Sequence, residues 1–120
     1  MKKRIARILI EGVIEKENEN YNQKWLLETI EELTDDKKTA GIILYINSPG
    51  GGVYQSDEVY LALKKYKEKA KKPVWAYFAS LAASGGYYIG CAARAREPRL
   101  RRTLLHGRLE VHASQPLFGI

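Results

Sequence analysis

Apolar positions along the first ninety residues follow two alternating rhythms. Ile8, Ile10 and, past Gly12, Ile14 fall at every second position of Ile5–Glu15, with Ile5 and Leu9 on other positions, which predicts a strand bent at Gly12. Leu26, Ile30 and Leu33 then recur at helical spacing beside Trp25, with Lys24, Glu28, Glu31 and Glu32 on the wet side and Asn20 or Asn22 placed to cap the helix. Gly41–Ile46 (G-I-I-L-Y-I) is a continuous apolar run of strand length, the pattern of a parallel strand covered by helices on both faces. Pro49 and three glycines in Asn47–Val53 cannot continue that strand. A second helix is expected from Ser56, with Asp57 and Glu58 in its first turn, Lys69, Lys71 and Lys72 at its end, and Val59, Leu63, Tyr66 and Ala70 as its apolar stripe. Pro73–Ala79 reads as the third strand, and Tyr87–Ala93 as a helix reached through Ser84-Gly85-Gly86. The order β-α-β-α-β-α predicts a parallel, right-handed α/β layer.

Composition changes this picture in one place. The chain has 120 residues, 45% hydrophobic and 28% charged, as expected of one globular domain with a modest core. Its lone cysteine, Cys91, excludes an intrachain disulfide or a Cys-based zinc site, and on a buried helix it would serve as a small hydrophobe. The net charge of +6 is uneven: residues 1–93 hold 14 basic and 12 acidic side chains, residues 94–120 hold 6 and 2. The basic residues are 12 Lys and 2 Arg before Arg94, but 6 Arg and no Lys from there on, and all eight tyrosines lie before it. The chain therefore divides into a body, 1–93, and an Arg-rich tail, 94–120. The Arg94–Arg108 cluster lacks interleaved aromatics and any binding-fold signature, so it reads as a solvated tail and not as a nucleic-acid surface.

Two stretches have features of membrane segments. Lys2-Lys3-Arg4 is followed by an apolar stretch broken by Arg7 and ended by Glu11, which does not make a cleavable signal peptide. Val74–Ala93 is uncharged and holds G-x-x-x-G at Gly86–Gly90, yet Ser80, Ser84, three tyrosines and Gly85-Gly86 split it into a strand, a turn and a short helix.

The candidate chemistry lies in two loops. Gly50-Gly51-Gly52 and Ser84-Gly85-Gly86 each follow the carboxyl end of a parallel strand, where sites of open α/β sheets form. If the two strands are neighbours, Ser84 would start a buried helix facing the backbone N–H groups of the glycine loop, the arrangement of a serine nucleophile and an oxyanion hole. Singly, a glycine triplet is ordinarily a tight turn and a serine before two glycines ordinarily an N-cap. The triplet also lacks the G-K-[ST] of a phosphate loop and the dinucleotide spacing. His106 and His112, the two histidines, both lie in the tail and are poor partners for Ser84.

I-N-S-P-G-G-G-V (46–53) followed by A-S-G-G-Y-Y-I (83–89) resembles the signal peptide peptidase A family over about residues 4–93. The resemblance implies a ClpP/crotonase-like fold, a serine–lysine dyad, no metal or cofactor, and hydrophobic peptide substrates such as cleaved signal peptides. It further implies a homo-oligomer and membrane association through an anchor that these 120 residues do not contain. Ser84 matches the family's nucleophile, and the amides of Gly51 and Gly85 match its oxyanion hole; Tyr87 and Tyr88 match positions to which no role is assigned. The family's general base is a lysine well downstream of the serine, whereas here every lysine lies at or before Lys72. Lys64–Lys72 occupy a wet, charged helix face, unsuited to the burial that would keep an amine neutral. The expectation is thus an N-terminal portion of a protease domain, incomplete at its C-terminus, with 94–120 an out-of-frame or otherwise aberrant extension. Such a chain is expected to be inactive alone, and to aggregate unless assembly covers its apolar strands. Two alternatives stay open: another ClpP-like protease, and a non-catalytic remnant that only oligomerises or binds peptide.

Overall fold

Seven elements alternate along the chain: β1 (Arg4–Glu11), α1 (Gln23–Asp35), β2 (Thr39–Ser48), α2 (Val53–Ala70), β3 (Val74–Ala82), α3 (Gly85–Gly90) and β4 (Arg108–His112). A computed structural model describes residues 3–82, 84–93 and 108–112 of the protein. The strands form one parallel sheet in the order β3-β2-β1-β4, with Ile8 opposite Leu44 and Leu44 opposite Ala76. The expected β-α-β-α-β-α layer is therefore present. β4 is an addition, a strand in the Arg-rich tail where none was expected.

The stepwise order β1, β2, β3 decides where the helices go. Two successive right-handed crossovers moving the same way along a sheet place both helices on the same face, and α1 packs directly on α2. Ala6, Ile8 and Ile10, Ile42, Leu44 and Ile46, and Val74 and Ala76 meet Leu26, Ile30 and Leu33 of α1 and Val59, Leu63 and Tyr66 of α2 there, all within one core cluster. The helical cover expected on both faces is thus one-sided among the described residues. The apolar run is real on both sides, since Ile5, Leu9 and Ile43 of the opposite face are also buried. That face carries a row of Arg7, Tyr45 and Tyr77, with the guanidinium 4.8 Å above the Tyr45 ring and the two rings stacked at 5.3 Å.

Helix boundaries agree with expectation at one point and differ at two. Asn22, one of two candidates, caps α1: its side chain accepts from the Trp25 N–H at 2.8 Å. α2 starts at Val53 and not Ser56, because Gly52, with φ −65° and ψ 136°, is a cap without a side chain and the helix begins immediately after it. Asp57 and Glu58 consequently sit in the second turn, beyond the N-terminal dipole's short reach. α3 spans only Gly85–Gly90, so Cys91 falls on its C-cap and is exposed, contrary to the buried position expected for it. Among the described residues no helix is long and apolar enough to cross a membrane.

Candidate active site

β2 and β3 are hydrogen-bonded neighbours, which brings the loops at their carboxyl ends together. A Cβ added to Gly85 would lie 2.3 Å from Ser56 Oγ and 3.5 Å from Gly50 Cα, so the two loops touch through glycine backbone. β3 runs three residues further than expected, to Ala82, and delivers Ser84 to the head of α3.

Ser84 has φ 47° and ψ −118°. These are the dihedrals of the first corner of a type II′ turn, a position dominated by glycine. A serine held there carries on the order of 1–3 kcal/mol of backbone strain, of the kind that clusters at functional sites. Its hydroxyl makes no capping hydrogen bond to α3 and the residue is exposed, so the ordinary N-cap reading of Ser84 does not hold.

The glycine loop is fixed by two clamps. Buried Ser48 donates to the Gly12 carbonyl at 2.6 Å and accepts from the Gly50 N–H at 3.0 Å, tying the bend after β1 to the loop after β2. Gly12 and Gly50 take φ of +76° and +104°, which is why these corners need glycine. Beyond them Ile14 pairs with Gly51 as an isolated parallel bridge: the Ile14 N–H donates to Gly50 O at 2.9 Å and the Gly52 N–H donates to Ile14 O at 2.8 Å. In such a bridge the flanked residue's own N–H and C=O lie on the other side of the strand. The Gly51 amide is accordingly turned away from Ile14. The Gly85 amide, at the first position of α3, has no partner within that helix.

Between the heads of α2 and α3 lies an open groove of about 890 Å³, into which Ser84, Gly85 and Gly51 all face. The three residues singled out in the sequence are brought together. The remaining walls are Val53, Tyr54 and Leu61, all largely exposed, with Ser56, Asp57, Glu58 and Tyr88. None of these was anticipated as a site residue. The apolar members could have been found only by placing the start of α2 correctly, because Val53, Tyr54, Asp57, Glu58 and Leu61 recur at helical spacing from that start. Glu58 is held by Gln23, whose side-chain amide donates to it and to the Gln55 carbonyl, both at 3.0 Å.

No lysine or histidine is among the described residues lining the groove. The lysines of α2, from Lys64 on, follow Leu61, the last residue of that helix in the groove wall, and none of them lines it. Lys67 donates to the Ala92 carbonyl at 3.0 Å and Lys72 to the Asp36 carbonyl at 2.8 Å. His112 lies opposite Leu9 on β4, three strand spacings or about 14 Å across the sheet from β3, while His106 lies outside the described residues.

Comparisons with known proteins give the family and the fold. Over 98 residues the chain is 36% identical to "Putative signal peptide peptidase SppA" of Enterococcus faecium, covering 76% of this chain and 28% of that protein. Protease 4 of Haemophilus influenzae is 33% identical over 93 residues, 75% of this chain and 15% of its own length. The chain thus spans less than a third of either relative. Among solved structures, a mutant ClpP1 of Listeria monocytogenes superposes with a TM-score of 0.60 at 25% identity, covering 73% of this chain and 46% of that one. The α/β layer is accordingly of the ClpP/crotonase-like type. The family model for Clp protease matches residues 2–119, and the chain belongs to that family.

Proposed function

We propose that this chain carries the nucleophile and oxyanion hole of a serine peptidase acting on hydrophobic peptides, cleaved signal peptides among them. The observation that carries the reading is Ser84 itself, a serine in a glycine-type corner whose hydroxyl caps nothing and faces the same groove as Gly51 and Gly85. In this reading Ser84 Oγ attacks the scissile carbonyl and its proton passes to a neutral amine. The Gly51 and Gly85 N–H groups receive the oxyanion, and the amine then protonates the departing peptide amine. Water next cleaves the acyl-enzyme ester, returning the hydroxyl to Ser84. Val53, Tyr54 and Leu61 offer apolar side chains to the substrate. The amine comes from outside this chain's groove, from a downstream segment or a second subunit, so the chain alone is inactive. Self-assembly and membrane association belong to the same reading through the family resemblance.

A peptide boronic acid with an apolar side chain tests this, because the serine oxygen can add to boron with its proton passing to solvent, and no leaving group has to be protonated. Boron NMR is expected to show a tetrahedral adduct with the chain and none with Ser84→Ala. An adduct that survives the substitution, or no adduct in either protein, overturns the reading. Hydrolysis of a fluorogenic peptide that is lost in Ser84→Ala would keep Ser84 but place the base within these residues.

A further inference from the structure

The paired tyrosines of the second motif have one asymmetric member. Tyr87 stacks on Phe78 of β3 with centroids 5.6 Å apart, and no side-chain hydrogen bond joins it to α2 among the described residues. Tyr88 turns the other way. Its hydroxyl donates to Asp57 Oδ1 at 2.7 Å, and its ring stacks on Tyr60 at 4.7 Å between centroids. Both partners belong to α2, which carries the glycine loop at its head, while Tyr88 belongs to α3, which carries Ser84 at its head. Tyr88 is therefore a side chain of α3 that reaches across to α2 near the candidate oxyanion hole, while at the far end Lys67 of α2 holds the Ala92 carbonyl beyond α3.

Three observations make this joint consequential. α3 has six residues, too few to hold a helical conformation by its own hydrogen bonds. At its head the fit is close: Gly85 leaves no room for a Cβ against Ser56, whose hydroxyl donates to the Gly52 carbonyl at 2.8 Å. At its tail Gly90 leaves none against the Phe78 ring, 2.5 Å from where a Cβ would be. Sliding of α3 along α2 would thus move the Gly85 amide relative to the Gly51 amide, and the Tyr88–Asp57 bond with its ring stack opposes that sliding. The bond raises the Tyr88 phenol above its ordinary pKa, so the donor stays protonated across the neutral range.

We infer that Tyr88 is a positioning residue, which through Asp57 and Tyr60 sets the separation of the Gly51 and Gly85 amides and so the strength of the oxyanion hole. The inference rests on the functional reading above for its catalytic consequence, but the structural joint can be tested separately. Tyr88→Phe keeps the stack and removes the hydrogen bond, Asp57→Asn keeps an acceptor, and Asp57→Ala removes it.

Amide hydrogen exchange on the full chain reads the joint directly. Exchange within residues 85–91 is expected to quicken about threefold to tenfold in Tyr88→Phe and Asp57→Ala, the range of one ordinary hydrogen bond. Amides of β2 and the Asp57→Asn protein should stay at wild-type rates. The affinity of the peptide boronate should fall by a similar factor in Tyr88→Phe and recover in Asp57→Asn. Unchanged exchange at 85–91 would overturn the inference whether or not any peptide binds. Quickened exchange with undiminished boronate affinity would overturn the positioning role, and a boronate adduct independent of Ser84 would instead sink the functional reading while leaving the joint intact.

Discussion

Ile14 and Gly51 are joined as an isolated parallel bridge, and the contact is so close that a Cβ on Gly51 would lie 2.0 Å from the Ile14 carbonyl oxygen. One backbone thereby orients the other, and the amide of Gly51 is turned away from Ile14. Gly52 is different: its added Cβ would meet the end of the Gln55 side chain at 1.9 Å, a group free to swing aside. Gly52 also has φ −65°, which any residue adopts.

The pair therefore gives a discriminating substitution test. Gly51→Ala is expected to destabilise the fold by about 1–3 kcal/mol or more, because backbone cannot yield as a side chain can. Gly52→Ala, at an N-cap where alanine is poorer than glycine, should cost about 0.5–1 kcal/mol. Urea unfolding of both variants checks this, and equal losses would contradict the bridge geometry.

Strain at Ser84 predicts a trade between stability and chemistry. Ser84→Gly should be more stable than Ser84→Ala by about 1 kcal/mol, since alanine inherits the unfavourable φ and glycine does not. In a domain of this size that is roughly 4 °C in Tm. Both variants should lose the boronate adduct. A Ser84→Ala protein melting at or above Ser84→Gly would show that the corner is not strained.

Gln23 is a buried amide serving three groups. It accepts from the Tyr21 hydroxyl and donates to Gln55 and Glu58. Burial, reinforced by the Glu58 charge, pushes the Tyr21 phenol well above its ordinary pKa, so it remains a donor. Gln23→Leu would strand these partners and is expected to cost about 1–3 kcal/mol. It should also loosen Glu58 at the groove, visible as faster exchange at the head of α2. A stability within error of wild type would remove Gln23 from the site's support.

Asp36, after α1, gives a pH dependence of known sign. Partial burial raises its pKa, but the Thr39 hydroxyl, the Lys38 N–H and the charges of Lys72 and Arg4 together outweigh this and hold it below the ordinary value. A depressed carboxylate stabilises the fold fully above its unfolded pKa, about 3.9, and loses that contribution as the pH falls through the lower folded value. The unfolding free energy of wild type should thus drop faster than that of Asp36→Asn on acidification from pH about 5 to about 3. The difference will be small, because the group is only partly buried. Parallel curves would show that Asp36 does not titrate with folding.

Periodicity by itself determined the body of this protein. The stripes of Leu26, Ile30 and Leu33 and of Val59, Leu63 and Tyr66 are buried as their spacing requires, and the three expected strands lie side by side in a parallel sheet. Such patterns are local, each set by the few residues of one turn or one pleat. Ser84, Gly85 and the glycine triplet were also legible as candidates, because glycine-rich loops after parallel strands are conspicuous in sequence, while Gly51 within the triplet came from the family resemblance. Their meeting in one groove was not, since it depends on β2 and β3 being neighbours. Tertiary structure alone decided that both long helices share one face, that β4 lies beside β1, that the Gly51 amide is turned away from Ile14, and that Asp57 serves Tyr88 and not a helix dipole. Each of these joins residues thirty or more positions apart or turns on the direction of a crossover, and hydrophobic spacing along a chain carries no record of either.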